Sequence, residues 1–212
     1  MQFLTKALYF PPVDEASPEG VLAVGGDLSV ARLLLAYRNG IFPWFNEDEP
    51  ILWWAPPQRM VVAPAIYKIP KNLRSIINKN KFQITFNQHF EEVIRNCQQI
   101  ERMGQYGTWI TEDIVTAYNK LHALGHAKSV EVWQDGQLVG GLYGVDLGHV
   151  FCGESMFSKV SNASKVGFVW LVNFLKDNNY LLLDCQVYND HLHLLGGIEI
   201  SRANFMKILQ AK

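Results

Sequence analysis

The sequence predicts an α+β fold in two parts, a small N-terminal domain at residues 1–62 and a larger domain at residues 63–212. The first part is rich in Pro and Gly, and a regular alternation of elements begins after Pro64. Two alternating runs flank Asp135-Gly136, which is a strong hairpin signal. Strands that bracket helices around an antiparallel hairpin indicate a mixed, largely antiparallel sheet.

The N-terminal part carries one helical pattern followed by an aromatic segment. Asp27 or Ser29 can cap the helix, residues 31–37 form its apolar body, and Gly40 ends it. Residues 41–57 then hold three Trp, two Phe and four Pro, and the prolines exclude an ordinary helix. Rigid aromatics on a loop predict a wall or lid for a flat or apolar ligand, or else an aromatic seam between domains.

The larger part alternates between helical and strand patterns. Thr111 and Ser201 are well placed to cap two of its helices. A polar loop is expected at residues 99–106. The predicted helices cover residues 71–78, 87–98, 111–125, 162–176 and 201 onwards, and the predicted strands cover residues 82–86, 129–133, 137–143, 149–152 and 180–187.

Composition indicates a globular protein, since 49% of the 212 residues are hydrophobic and 18% are charged. Cys97, Cys152 and Cys185 are too few and too scattered for a disulfide framework or a zinc pattern. Buried free cysteines fit a reducing compartment. Neither a signal peptide nor a run of spanning length is recognisable, so we expect a cytoplasmic protein.

Charge is distributed unevenly although the formal net charge is only −1. The acidic turn (residues 47–49) carries three carboxylates. A basic stripe without acidic residues could contact phosphates, or it could be a solvated helix face. The basic stripe consists of Lys68, Lys71, Arg74, Lys79 and Lys81.

Glu154 is the first candidate site residue, because it stands in the apolar run FCGESMF at residues 151–157. A carboxylate there is costly unless it is paired or used. Its expected position, where a strand gives way to a loop, is common for site residues. Glu154 therefore serves either as an anchor for a positively charged substrate group or as half of a structural ion pair.

Asp184 and Gln186 are two residues apart in an apolar strand, so both should point to one face and Cys185 to the other. Such a pair could hold a nucleophile or relay a proton, or it could be a polar strand end. Asn189 and His191 follow closely and make the region crowded with polar groups.

The sequence shows no clear motif for several other kinds of catalytic or binding site. His122 and His126 are four residues apart on a helix, but no obvious third metal ligand accompanies them. The chain shows no serine nucleophile elbow, no phosphate-binding Gly-Lys-Ser/Thr loop and no dinucleotide glycine fingerprint.

Seven blocks of the sequence resemble, in collinear order, the leucyl/phenylalanyl-tRNA–protein transferases. The resemblance covers most of the chain, from about residue 10 to residue 205, and is therefore far more specific than one short motif. The blocks are GGDL at 25–28, GIFPWF at 40–45, LWW at 52–54, GTWIT at 107–111, FCGESMFS at 151–158, NASK at 162–165 and DCQVYNDH at 184–191.

The resemblance implies an enzyme that moves Leu or Phe, and Met less readily, from aminoacyl-tRNA to proteins with an N-terminal Arg or Lys. The product is a degradation signal of the N-end rule pathway. It also implies a GNAT-like acyltransferase domain that needs no metal or coenzyme.

Roles for individual residues follow from the same resemblance. Trp44, Trp109 and Phe151 would line the aminoacyl pocket, and Glu154 would hold the acceptor's basic end. Asp184 and Gln186 would serve acyl transfer, with Asn189 also binding substrate. Lys71, Arg74 and Lys79 would meet the tRNA backbone.

Two rival classes remain open. An acyl-CoA-dependent N-acyltransferase of the same fold would need a glycine-rich pyrophosphate loop, which is not found here. A non-catalytic module that binds tRNA or peptide would show binding without turnover.

Overall fold

A computed structural model describes residues 2–100 and 108–211. Most of the polar loop predicted at 99–106, together with Gly107, lies outside these ranges. The strands are β1 (Gln2–Leu4), β2 (Val21–Gly25), β3 (Phe42–Pro43), β4 (Leu52–Trp54), β5 (Gln58–Val62), β6 (Gln83–Phe86), β7 (Ala127–Gln134), β8 (Gln137–Asp146), β9 (Val150–Ser158), β10 (Leu182–Gln186) and β11 (Ile198–Ser201). The helices are α1 (Val30–Arg38), α2 (Lys71–Ile77), α3 (Phe90–Gln99), α4 (Glu112–Ala123), α5 (Ala163–Asp177), α6 (Asp190–Leu194) and α7 (Arg202–Leu209).

The N-terminal part forms a small sheet in the order β1-β2-β4-β3, with α1 beside it. The helix prediction is confirmed, because the Ser29 side chain accepts a hydrogen bond from the Arg32 backbone and caps α1. Trp53 is fully buried and its indole donates to the Gly25 carbonyl at 2.8 Å. The aromatic segment thus includes β3 and β4, which the sequence pattern did not predict as strands.

The larger sheet has seven strands in the order β11-β5-β10-β9-β8-β7-β6. All neighbours are antiparallel except β9 and β10. The predicted hairpin is confirmed as β7 and β8. Its turn residues Asp135 and Gly136 have φ values of +51° and +74°, as a type I′ turn requires.

Strand β5 connects the two parts of the chain in an unexpected way. It belongs by number to the predicted N-terminal domain, yet it pairs with β10 and β11 inside the larger sheet. The domain division at 1–62 and 63–212 stays a prediction. The sheet itself continues across that boundary, because residues 58–62 are one of its inner strands.

The parallel strands β9 and β10 bring the candidate site residues together. Their pairing runs from Val150–Leu182 to Cys152–Asp184. Beyond that point each strand carries one extra residue relative to its antiparallel neighbour, and these residues are Glu154 in β9 and Cys185 in β10. Such bulges bend a strand and redirect side chains, and they are frequent beside active sites.

The two bulges correct two expectations from the sequence. Glu154 lies inside the nine-residue strand β9, not at a strand-to-loop boundary. In a regular strand Asp184 and Gln186 would point to the same face. Here they do not, because the register shifts between them and Gln186 has a φ of +66°. The alternation rule fails there because it assumes a regular strand.

Most helix predictions are confirmed with small shifts at their ends. Thr111 and Ser201 cap α4 and α7 through their hydroxyl oxygens. Helix α3 begins at Phe90, three residues later than expected, because Asn87 takes a φ of +60°. The short elements α6 and β11 were not predicted. Within the described ranges, no helix is long and apolar enough to cross a membrane.

Candidate active site

A cavity of about 950 Å³ opens where the two bulged strands separate. The cavity is lined by the rim loop (residues 44–54) and by residues of β9, β10 and α5. Its size is at the upper end of the range for small-molecule sites. The cavity is therefore large enough for an amino-acid ester together with the first residue of a peptide.

One wall of the cavity is apolar. Trp44 and Trp109, the residues expected at an aminoacyl pocket, both line it together with Met156, Phe168 and Leu171. Trp44 is 40% exposed and its ring lies 5.5 Å from that of Trp54. These side chains offer a surface to an apolar group of Leu or Phe size.

Phe151 is not among the residues on this wall. It is 1% exposed and packs in the core, against the backbone of β8. A Cβ atom at Gly144 would lie only 2.4 Å from the Phe151 ring, so the glycine makes room for the phenyl group. This placement differs from the expectation that Phe151 lines the pocket, because the ring is buried in the core cluster that also contains Phe168 and Leu171.

The cavity floor (Glu154 and Gln186) is polar and hydrogen-bonded. The Gln186 amide donates to Glu154 Oε1 at 2.9 Å, and the Tyr118 hydroxyl donates to Oε2 at 3.1 Å. Tyr118 in turn shares a hydrogen bond with the hydroxyl of Tyr37. Because Tyr37 lies on α1, this chain of bonds links the N-terminal part to the floor.

Burial raises the pKa of the Glu154 carboxyl to about 7, far above its ordinary value. The hydrogen bonds from the tyrosine hydroxyls oppose this shift. No ion-pair partner for Glu154 occurs among the described residues, so the structural ion pair considered above is not formed. Near neutral pH this carboxyl can both hold and release a proton.

Asp184 is fully buried behind the floor, not on the cavity wall. Its two oxygens accept from Arg59 Nε at 2.8 Å and Nη2 at 2.7 Å, a bidentate ion pair. Oδ1 also accepts from the Gln186 backbone at 2.9 Å. Asp184 therefore fixes the backbone that carries the Gln186 side chain into the cavity.

Arg59 is the center of a further set of contacts that joins distant parts of the chain. Its guanidinium lies 4.7 Å from the Phe42 ring center and 4.6 Å from that of Phe205. Its Nη1 donates to the Gly40 carbonyl at 3.1 Å. The sequence offered one signal, since Arg59 precedes the apolar run Met60-Val61-Val62, a context like that which singled out Asp184.

Asn189, expected to bind substrate, lines the cavity, but its side-chain oxygen is already hydrogen-bonded. It accepts from the backbones of His191 and Leu192 at 2.9 and 3.3 Å and caps α6. His191, which the sequence placed among the polar groups that follow Gln186, lines the cavity as well. Burial lowers its pKa, and the charge of Lys165 lowers it further, so His191 is largely neutral at pH 7.

The predicted tRNA-binding residues lie away from the cavity. Lys71 and Arg74 are exposed on α2, and Lys79 is exposed just after it. Helix α2 packs against α5, which supplies Phe168 and Leu171 to the apolar wall. The basic stripe and the cavity are thus joined through a single helix.

No cluster of three or more His, Cys, Asp or Glu side chains suited to a metal ion is formed by residues 2–100 and 108–211. Tyr37, Tyr118 and Arg59 are the main site residues that sequence reasoning missed. For the two tyrosines no sequence signal distinguishes them from ordinary core aromatics, because both lie on the apolar faces of helices.

Comparison with known proteins adds two family matches. Residues 61–210 match the family described as leucyl/phenylalanyl-tRNA protein transferase. Residues 26–57 match that family's N-terminal domain. Together with the mixed sheet, these matches confirm the predicted α+β fold with a small N-terminal domain.

Individual relatives agree with these matches. A protein of Flavobacterium johnsoniae named leucyl/phenylalanyl-tRNA–protein transferase is 64% identical over 212 residues, which is 100% of both chains. A protein of the same name from Syntrophobacter fumaroxidans is 53% identical and covers 97% of this chain and 88% of its own. Among solved structures the likeness is weaker, as with an aminoglycoside acetyltransferase from a soil metagenome at 13% identity, a TM-score of 0.37 and coverage of 48% and 74%.

The family assignment rests on the sequence relatives, whose matches extend from the N-terminal sheet to the last helix. The chain belongs to the leucyl/phenylalanyl-tRNA–protein transferase family.

Proposed function

We propose that this protein transfers Leu or Phe, and Met less readily, from aminoacyl-tRNA to proteins that begin with Arg or Lys. The product would carry a destabilising N-terminal residue and enter the N-end rule pathway, in the cytoplasm. The observation that carries the proposal is the cavity, where an apolar wall meets a hydrogen-bonded polar floor. The names of the two relatives described above support the same reaction.

The apolar wall is suited to the donor's side chain. Trp44 and Trp109 would enclose the Leu or Phe group beside Met156. Full burial of such a side chain contributes about 1.5–3 kcal/mol, enough to reject polar amino acids. Apolar pockets discriminate neighbouring aliphatic sizes only weakly, and this fits an enzyme that accepts Leu, Phe and some Met.

The reaction itself needs positioning more than activation. The acceptor amine attacks the ester carbonyl carbon, a C–N bond forms, the C–O bond to the tRNA ribose breaks, and one proton moves from nitrogen to the ribose oxygen. The donor is already an activated ester, so holding ester and amine together provides much of the acceleration. No separate energy source is required.

The floor would manage the charge and the proton of the acceptor. Glu154 would bind the positively charged N-terminal residue and, with a pKa of about 7, could accept the proton of its amine. Gln186, held in place by its bond to Glu154, would orient the reacting groups. Asp184 acts through Gln186 and is a positioning residue in this proposal.

The tRNA body would lie along the basic stripe. Lys71, Arg74 and Lys79 are exposed and could contact phosphates without reading sequence. Such binding suits an enzyme that must accept several tRNAs charged with the same amino acid. Specificity then comes from the aminoacyl end in the cavity.

One experiment tests the proposal against its rivals. Labelled Leu-tRNA is incubated with the protein and with peptides that begin with Arg, Lys, Asp or Ala, and labelled acyl-CoA replaces Leu-tRNA in a parallel series. We expect label on the Arg and Lys peptides from Leu-tRNA only. Transfer from acyl-CoA would favour the other enzyme class, and tRNA or peptide binding without transfer would favour the non-catalytic module.

A further inference from the structure

Glu49 is a second carboxylate on the cavity surface, separate from the floor. It is exposed on the rim loop and lines the cavity. Its Oε2 accepts from the backbone and side-chain nitrogens of Asn46 at 2.9 and 3.0 Å, and its own backbone donates to the Asn46 carbonyl at 3.0 Å. The turn thereby holds Oε2, while Oε1 has no hydrogen-bond partner among the described residues.

The surroundings of Glu49 are favourable to a cation. The rim loop runs between Trp44 and Trp54, and both indoles line the cavity. The Trp54 indole is fixed by donating to the Trp44 carbonyl at 2.6 Å. Aromatic faces attract ammonium and guanidinium groups, and a carboxylate beside them adds a charge-assisted hydrogen bond.

The acceptor carries more positive groups than the single carboxylate of the floor can bind. A protein that begins with Arg or Lys presents two positive groups, its α-ammonium and its side chain. Glu154 already accepts one hydrogen bond on each oxygen. Among the described residues that line the cavity, Glu49 and Glu154 are the two carboxylates. If Glu154 receives one positive group of the acceptor, Glu49 is the carboxylate that remains for the other.

The tRNA donor is an unsuitable partner for Glu49. Phosphates would be repelled by the acidic turn, which carries Glu47 and Asp48 as well. The aminoacyl group itself is apolar and matches the apolar wall, where Trp109, Met156 and Phe168 lie. The carboxylate on the rim therefore faces the acceptor and not the tRNA.

We propose that Glu49 binds the guanidinium or ammonium side chain of the acceptor's first residue, while the floor receives its α-amine. This inference rests on the proposed function and names the subsite that selects basic acceptors. Glu49 would also disfavour acceptors that begin with Asp or Glu, through charge repulsion.

The test compares two peptides that differ only in their first residue, Lys or norleucine, with Leu-tRNA as the donor. Kinetics are measured for the wild type, Glu49→Gln and Asp48→Asn. Asp48 is on the same turn but is not on the cavity wall, so it controls for the general field of the turn. All three proteins are checked for equal folding by urea denaturation.

Glu49→Gln should lower kcat/KM for the Lys peptide about fivefold, as for a partly exposed ion pair, and leave the norleucine peptide unchanged. Glu49→Lys should reduce the Lys-to-norleucine preference further and improve a peptide that begins with Glu. Aminoacyl-tRNA affinity should not change in either variant. Asp48→Asn should behave like the wild type.

Three results would overturn the inference. Equal losses of kcat/KM for the Lys peptide in Glu49→Gln and Asp48→Asn would mean that the effect comes from the overall negative charge of the turn and not from a contact with Glu49. An equal loss for both peptides would mean that Glu49 does not contact the acceptor side chain, and a loss of aminoacyl-tRNA affinity would place it at the donor. Failure of the wild type to modify the Lys peptide would instead reject the proposed function, and this inference with it.

Discussion

The floor and the rim of the cavity differ in how their side chains are held. On the floor, Glu154 and Gln186 bond to each other and are backed by the buried pair of Asp184 and Arg59. On the rim, Glu49 is exposed and its bonds are confined to one neighbouring residue of the same loop. One region is built by long-range contacts and the other by local ones.

This difference separates two tasks. A floor fixed by buried hydrogen bonds needs no rearrangement when charge moves during reaction, which is the condition for electrostatic catalysis. A rim of exposed side chains can change partners without disturbing the core. Substitutions in the floor and in the buried pair behind it should therefore affect stability and turnover, whereas substitutions on the rim should affect binding alone.

The largest effect is expected at Arg59. Arg59→Met leaves the Asp184 carboxylate buried without its counter-charge, which should lower the free energy of unfolding by about 3–5 kcal/mol. Urea denaturation measures this loss. Arg95→Met is the matched control, because Arg95 pairs with Glu112 at the surface and its loss should change stability little. Equal effects for both variants would contradict a special role for the buried pair.

Next in size is the loss of turnover when Gln186 or Asp184 is changed. Gln186→Ala should lower the single-turnover rate by about 10²-fold, as expected when one positioned group is removed. Asp184→Asn should act through the same group, so the double variant should be little slower than the slower single one. If the two defects multiply while folding stays intact, the residues act independently.

The pH dependence of stability should report on Glu154. Its folded-state pKa of about 7 exceeds its ordinary value of 4.5, so the folded protein keeps a proton that the unfolded chain has released between these values. The free energy of unfolding should therefore fall as pH rises through this window, by up to about 3 kcal/mol. Urea denaturation at several pH values measures the slope.

Glu154→Gln supplies the control for this pH effect, because its neutral amide cannot titrate. The variant should be stabilised relative to the wild type at pH 7.5 and less so at pH 5. A wild-type profile that matches the variant across the window would show that Glu154 ionises normally in the folded protein.

The smallest effect concerns the basic stripe, far from the floor. Lys71→Ala with Arg74→Ala should weaken tRNA binding and reduce the slope of log K against log salt by roughly 0.7–0.9 for each lost phosphate contact. A short aminoacyl-nucleoside donor should be used as well as before. Filter binding across salt concentrations measures the slope, and an unchanged slope would make the stripe a solvated helix face.

Local signals in the sequence predicted the elements that local contacts determine. Ser29 caps α1, and the Asp135-Gly136 turn closes the hairpin, because each acts within a few residues. The apolar pocket residues Trp44 and Trp109 and the floor residue Glu154 also came from the sequence, through their motifs. These motifs identify the site without giving its geometry.

The remaining geometry depends on contacts that no local pattern contains. Arg59 and Asp184 are 125 residues apart, and their pairing follows only once β5 and β10 are neighbours. The bulges at Glu154 and Cys185 break the period of two, so side-chain directions could not be deduced from spacing. Phe151 was expected to line the pocket but is buried in the same core cluster as Phe168 and Leu171, and its depth of burial depends on the tertiary environment.

The contacts of Arg59 with the rings of Phe42 and Phe205 also have a consequence for the expected order of folding. The contacts of one guanidinium extend to residues 40, 184 and 205, so they are made only when widely separated segments meet. Contacts between residues far apart in sequence slow folding, because the entropy of closing the long loop between them is lost before the contacts contribute any stabilisation. An N-terminal fragment that stops before Phe205 would lack one of the two rings that contact the Arg59 guanidinium. Such a fragment should therefore form its helices without forming a complete site.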